Sequence, residues 1–178
     1  MLIDEKITSR TPLGFIGLGY MGSRIARRLA TAGFPMVVYD RDREKTNELA
    51  ALGVSVAPDL EILAADVDVV LSCVSNDSAV ENIYLGTGGL LETARPGLRI
   101  IELSTISPET SRKVHAAARK YDVLMLDVAI SGSTPSAEAG TLTLFGGGEG
   151  LVFEAVQPIF ASIARQWFYM GPGGPVWR

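Results

Sequence analysis

The sequence predicts an α/β domain of Rossmann-like, doubly wound type with a mostly parallel sheet. Three observations predict it. Short apolar runs alternate with amphipathic segments along most of the chain, the rhythm of successive βαβ units. A Gly-x-Gly-x-x-Gly turn, Gly17 to Gly22, lies between the first apolar run and the first amphipathic segment. Asp40 follows about 20 residues later at the end of the second run, the spacing at which such folds place an acidic residue beside a ribose.

The elements follow in order. Leu13 to Gly17 reads as a strand and Gly19 to Ala32 as a helix with Ile25, Ala26, Leu29 and Ala30 on one face. Gly33 stops that helix in the manner of a C-terminal cap. Met36 to Tyr39 is a strand, Asp42 to Leu52 a helix stopped by Gly53, and Val54 to Val56 a short strand. Pro58 opens a short helix at its first turn, where a missing N–H costs nothing. Val67 to Ser72 is a strand, Asp77 to Tyr84 a helix and Arg99 to Leu103 a strand after the Pro96-Gly97 turn. Ser107-Pro108-Glu109 starts a helix that runs to Tyr121, followed by a strand over Val123 to Asp127. Thr141 to Phe145 and Gln166 to Met170 are two more strands, with a helix over Gly150 to Ala164 that Pro158 kinks. Gly146 to Gly148 and Gly171 to Gly174 interrupt the rhythm.

A length of 178 residues suits one domain, assigned here to residues 1–178. Residues 1–11 read as a flexible N-terminal extension and 171–178 as a shortened interdomain segment. The hydrophobic share of 47% and charged share of 20% are those of a globular protein with a substantial core. Cys73 is the one cysteine, so no internal disulfide can form, and a reducing, cytoplasmic setting is expected. The net charge of −4 and the lack of a Lys/Arg block argue against nucleic acid as a partner. No run approaches the roughly 18 apolar residues of a membrane span, and Met1 to Arg10 lacks the apolar stretch of a signal peptide. No metal site is expected.

The glycine turn assigns its own tasks. Gly17 permits the tight turn, Gly19 lets a pyrophosphate approach the backbone, and Gly22 lets the helix pack closely on the strand. Free N–H groups and a partial positive charge at the helix start then face the phosphates. Asp40 would accept hydrogen bonds from ribose hydroxyls, which favours NAD; the adjacent Arg41 could pair with a 2′-phosphate, which favours NADP. Both cofactors therefore stay open. Cys73 has no basic sequence neighbour and reads as a buried small residue rather than a reactive thiol. His115, the one histidine, sits mid-helix among charged and alanine residues and reads as surface or structural.

Gly14 to Gly22 resembles the N-terminal signature of the β-hydroxyacid dehydrogenases, a family that includes 3-hydroxyisobutyrate dehydrogenase, tartronate semialdehyde reductase and, more distantly, 6-phosphogluconate dehydrogenase. Three later stretches agree in order: Leu103 to Pro108, Asp127 to Gly132, and Ala137 to Leu142 followed by Gly146-Gly147. The resemblance covers Leu13 to Gly171. It implies hydride transfer between NAD(P) and a small 3-hydroxy acid or semialdehyde. The cofactor site would comprise Gly17, Leu18, Gly19, Tyr20, Met21, Gly22, Asp40, Arg41, Val74, Ser75 and Thr105. Ser131, Gly132 and Ser133 would hold the carboxylate of a small substrate, a hydroxyl and main-chain donors being able to bind an anion without a cation. Ser133 and Ser136 stand where the family pattern has glycine, and Ala129 where proline is common.

The resemblance also implies a catalytic lysine on a helix beyond the last strand, inside an all-helical second domain. No lysine follows Lys120, so no catalytic residue is assigned and turnover is expected to be impaired. Two readings stand: a shortened dehydrogenase, or a dinucleotide-binding or scaffolding module without catalysis. Apolar residues around Trp167, Phe168 and Trp177 are expected to be exposed and to favour a homo-oligomer.

Overall fold

The computed structural model describes residues 7–172. Its strands are β1 (Leu13–Ile16), β2 (Met36–Tyr39), β3 (Ser55–Val56), β4 (Val69–Ser72), β5 (Arg99–Glu102), β6 (Leu124–Ser131), β7 (Leu142–Gly148) and β8 (Ala164–Tyr169). Between them run α1 (Gly22–Thr31), α2 (Asn47–Ala51), α3 (Leu60–Ala65), α4 (Asp77–Leu85), α5 (Leu90–Thr93), α6 (Pro108–Lys120), α7 (Thr134–Ala139), α8 (Gly150–Ala155) and α9 (Gln157–Ile163). One sheet forms in the order β3-β2-β1-β4-β5-β6-β7-β8. Neighbouring strands are parallel except β6 and β7, which pair antiparallel from Leu126↔Gly148 to Ser131↔Thr143. The mostly parallel, doubly wound sheet is therefore the one the alternation of elements predicts.

Period-two alternation sorts the strand residues between two cores. Leu13, Phe15, Leu71, Ile101 and Leu126 face α1, α8 and α9. Ile16, Val70, Ile100 and Met125 face α3 to α6. Helix α1 contributes Ile25, Ala26 and Leu29 to the first core, all fully buried, and each large apolar side chain so buried contributes about 1.5–3 kcal/mol. Its end is set by Gly33 at φ +94°, whose N–H donates to the Ala30 carbonyl. Side-chain caps start the helices on the other face. Asp59, Asn76 and Ser107 accept the N–H of Ile62, Ala79 and Thr110.

Several boundaries differ from the sequence reading, each for a local reason. Asp59 caps α3, so Pro58 lies outside the helix rather than in its first turn. The segment 42–52 begins as a 3-10 turn, Arg43–Thr46, and becomes α-helical only at Asn47. Pro158 does not kink one helix: the chain breaks at Val156 into α8 and α9, with Pro158 in the first turn of the second. Strand β6 extends to Ser131 and Gly146 to Gly148 belong to β7, because the antiparallel pairing satisfies backbone groups that the local sequence leaves unassigned. Helices α5 and α7 have no counterpart in the reading. Ile7 is 2% exposed and joins the first core, and Thr8–Thr11 form a closed turn, so the packed fold begins ahead of residue 12. Residues 1–6 and 173–178, including Trp177, lie outside the described residues.

Candidate dinucleotide site

Strand order reverses between β1 and β4, and the crevice outside the carboxyl ends of these strands is where open α/β sheets bind ligands. A cleft of 510 Å³ lies there. Gly17, Gly19, Tyr20, Met21, Gly22, Asp40, Arg41, Val74 and Ser75 line it, nine of the residues expected from sequence.

The three glycines do different things. Gly17 has φ +92°, and a Cβ there would lie 2.3 Å from the Cys73 carbonyl oxygen. A Cβ on Gly22 would lie 2.0 Å from the Gly17 carbonyl oxygen. Both positions are closed by the protein's own backbone. Gly19 meets nothing within 4 Å, so its freedom serves space in the cleft rather than packing.

Asp40 holds this loop. Its Oδ2 accepts the Leu18 N–H at 2.7 Å and its Oδ1 the Asp42 N–H at 2.8 Å. The carboxylate thus ties the glycine turn to the end of β2, with lone pairs to spare. Leu18 contributes only this N–H, its side chain being buried at 3% exposure in the first core. Arg41 and Lys45 both line the cleft, and among the described residues no ion pair engages either. Two arginines of α1 that face elsewhere are ion-paired, Arg24 with Glu138 at 2.8 Å and Arg27 with Glu48 at 2.5 Å, and the third, Arg28, donates to the Ser162 carbonyl.

The remaining expected residues stand apart. Thr105, Ser131, Gly132 and Ser133 are exposed and do not line this cleft. Ser131 ends β6, Gly132 has φ +147°, and Ser133 Oγ lies 3.2 Å from Ser136 Oγ.

Sequence reasoning missed several lining residues. Lys45 carried a usable signal, being one helical turn beyond Arg41. Leu60, Ala79, Asn82 and Ile83 carried none, because α3 and α4 reach the cleft only through the tertiary fold. Cys73 is partly buried in the cleft wall, with its thiol pushed up to about 12 by burial and by the negative charge of Glu102. Deprotonation at neutral pH is therefore suppressed, as expected for an inert thiol. His115 packs inward rather than on the surface: its Nε2 lies 3.3 Å from Asp127 Oδ1, and its side chain is 11% exposed. Ser111 donates to the other oxygen of Asp127.

A glycine turn closed by its own backbone, an acidic tie at the end of β2 and a cleft at the reversal of strand order define a dinucleotide-binding domain. Residues 12–171 match the family described as the NAD binding domain of 6-phosphogluconate dehydrogenase, and the chain belongs to that family. The NAD-dependent L-serine dehydrogenase of Pseudomonas aeruginosa is 40% identical over 91% of this chain and 54% of its own length. The Mycobacterium tuberculosis 3-hydroxyisobutyrate dehydrogenase solved with L-serine superposes with TM-score 0.86 at 31% identity, covering 92% of this chain and 55% of that one. Psf3 in complex with NADP+ and 2-OPP gives TM-score 0.87 at 33% identity over 90% of this chain and 57% of that one. The chain thus spans about half the length of the relatives it matches. No helix among the described residues is long and apolar enough to cross a membrane.

Proposed function

We propose that this chain is the dinucleotide-binding half of a 3-hydroxyacid dehydrogenase and that it takes NADP(H) in preference to NAD(H). The observation that carries the reading is the cleft itself: open space over Gly19, and in the lining two cations without ion-pair partners among the described residues, Arg41 and Lys45.

The residues fit such a cofactor. Amide groups at the start of α1 and the bare backbone of Gly19 suit a pyrophosphate. Leu60, Ala79 and Ile83 offer an apolar wall to a flat base. Asp40 already spends a lone pair of each oxygen on backbone N–H groups, which weakens its repulsion of a 2′-phosphate. Arg41 and Lys45 would hold that phosphate by charge-assisted hydrogen bonds. A bound nicotinamide would supply or accept the hydride. Ser131, with the N–H groups of Gly132 and Ser133, would hold the substrate carboxylate, the exposed turn after β6 leaving these donors accessible. The roles this reading assigns to the residues named are binding roles. The single thiol fits a reducing, cytoplasmic setting. Copies would associate through the edge of β8, where Phe168, Tyr169 and Met170 are exposed.

Fluorescence titration with NADPH and NADH tests the cofactor reading. Micromolar binding, NADPH tighter, is the expected result. Arg41→Ala and Lys45→Ala should each weaken NADPH about tenfold, roughly 1.4 kcal/mol, and leave NADH unchanged. No saturable binding of either would defeat the reading; tighter NADH would defeat its NADP preference. Light scattering that finds only monomers would remove the association through β8.

A further inference from the structure

Behind the turns that follow β4 and β5 lies a buried polar cluster that the cofactor reading does not use. Glu102, at the end of β5, is 1% exposed and lies in register between Ser72 of β4 and Asp127 of β6. It faces the core beneath α4 to α6, where its strand neighbour of the same face is Ile100. A carboxylate at such a position carries a desolvation cost, and burial pushes its carboxyl above the ordinary range. Ser72, Ser104 and Tyr84 surround it, with Asp127, itself bonded to Ser111 and beside His115, on the adjoining strand.

Glu102 is the acceptor on which the surrounding hydrogen bonds converge. An ionised carboxylate only accepts. Its Oε2 takes the Ser72 hydroxyl proton at 2.5 Å and its Oε1 the Ser104 N–H at 2.7 Å. Ser72 Oγ also shares a hydrogen bond of 2.5 Å with Tyr84 Oη, and the Tyr84 hydroxyl bonds Glu102 as well. The Ser104 side chain also donates to Glu102. Its oxygen is therefore left as an acceptor, and it takes the Val74 N–H at 2.8 Å. The turn after β4, Cys73 to Ser75, and the turn after β5, Leu103 to Thr105, are thereby joined through one buried carboxyl group.

We propose that Glu102 is a positioning residue that locks these two turns together and so fixes the wall against which the nicotinamide half of the dinucleotide rests. This rests on the dinucleotide reading above. The adenine half, bounded by Asp40, Arg41 and Lys45 on the far side of the glycine turn, is outside its reach. Replacing the acceptor by an amide brings N–H donors into a cluster already full of donors, and the Ser104 hydroxyl loses the partner that orients it.

The test compares the 178-residue chain with Glu102→Gln, using NADPH and 2′-phospho-ADP-ribose as separate probes and amide hydrogen exchange without ligand. In Glu102→Gln the Val74 amide should exchange about tenfold faster while Val38 in β2 keeps its rate. NADPH should bind about fivefold more weakly, and 2′-phospho-ADP-ribose within about twofold of the parent chain. A general loosening of the domain would move both ligands together, and that result, or no change in either, overturns the proposal. If Glu102→Gln does not fold, Ser104→Ala removes only the acceptor of the Val74 N–H; unchanged NADPH affinity there also overturns it. If the parent chain binds neither probe, the dinucleotide reading fails by itself, and an unchanged Val74 exchange rate in Glu102→Gln overturns the Glu102 link independently.

Discussion

The two ends of the strand edge are built differently. At the β1–β2 end the groups are main chain: Gly17 and Gly22 closed against backbone atoms, and Asp40 holding the Leu18 and Asp42 N–H groups. At the β6 end they are exposed hydroxyls, with Ser133 and Ser136 facing each other across a turn. A backbone cradle is set by the fold of this domain and has little freedom. A ring of hydroxyls on an exposed turn has rotors that a ligand or another surface can reset. The difference teaches that the proposed cofactor contacts belong to the packed interior of this domain, whereas the proposed carboxylate contacts depend on groups the interior does not fix.

The strongest break in that comparison is Gly22→Ala. Its Cβ would sit 2.0 Å from a backbone oxygen that cannot move without undoing the Gly17 turn. A loss of about 3 kcal/mol is expected in urea unfolding; a variant as stable as the parent would show that the turn is not rigid. Gly19→Ala sharpens the contrast, since its Cβ meets nothing within 4 Å. Stability should change by less than about 0.5 kcal/mol, while NADPH affinity falls about tenfold, or 1.4 kcal/mol. Unchanged affinity would remove Gly19 from the site.

A smaller effect concerns how α4 is docked beside the cleft. Asp77 Oδ1 accepts both the N–H and the hydroxyl of Ser107, at 2.8 and 2.6 Å, and these donors hold its carboxyl down at about 2 against an ordinary 3.8. A depressed carboxylate stabilises the fold above its unfolded value and loses that contribution as pH falls through the folded one. Asp77→Asn should therefore lower Tm at pH 7, and the gap should close between pH 3.8 and about 2. A gap independent of pH would assign the effect to packing instead. Smallest of all, Cys73 should label with a thiol reagent at pH 8 far more slowly than free cysteine, because its thiol is pushed up to about 12. Rapid labelling would mean that the cleft wall opens.

Much of the fold was legible because strand and helix periods differ and the glycine turn has a fixed grammar. Met36 to Tyr39 was read to the residue. The reading stumbled where long-range pairing decides: β6 runs to Ser131 only because β7 lies antiparallel beside it. Likewise α5 and α7 are short helices whose formation depends on what they pack against, not on their own propensity.

For the site, sequence determined which residues form the glycine turn, that Asp40 follows directly on β2, and that a cation follows it. These are local facts, fixed by chain spacing. Tertiary structure decided that Lys45, Leu60 and Ile83 share the cleft, that Thr105 and Ser131 do not line it, and that Glu102 links the turns after β4 and β5. Chain spacing cannot supply these, because strands 30 residues apart become neighbours, Ser72 beside Glu102, only when the sheet forms and its two apolar faces are buried.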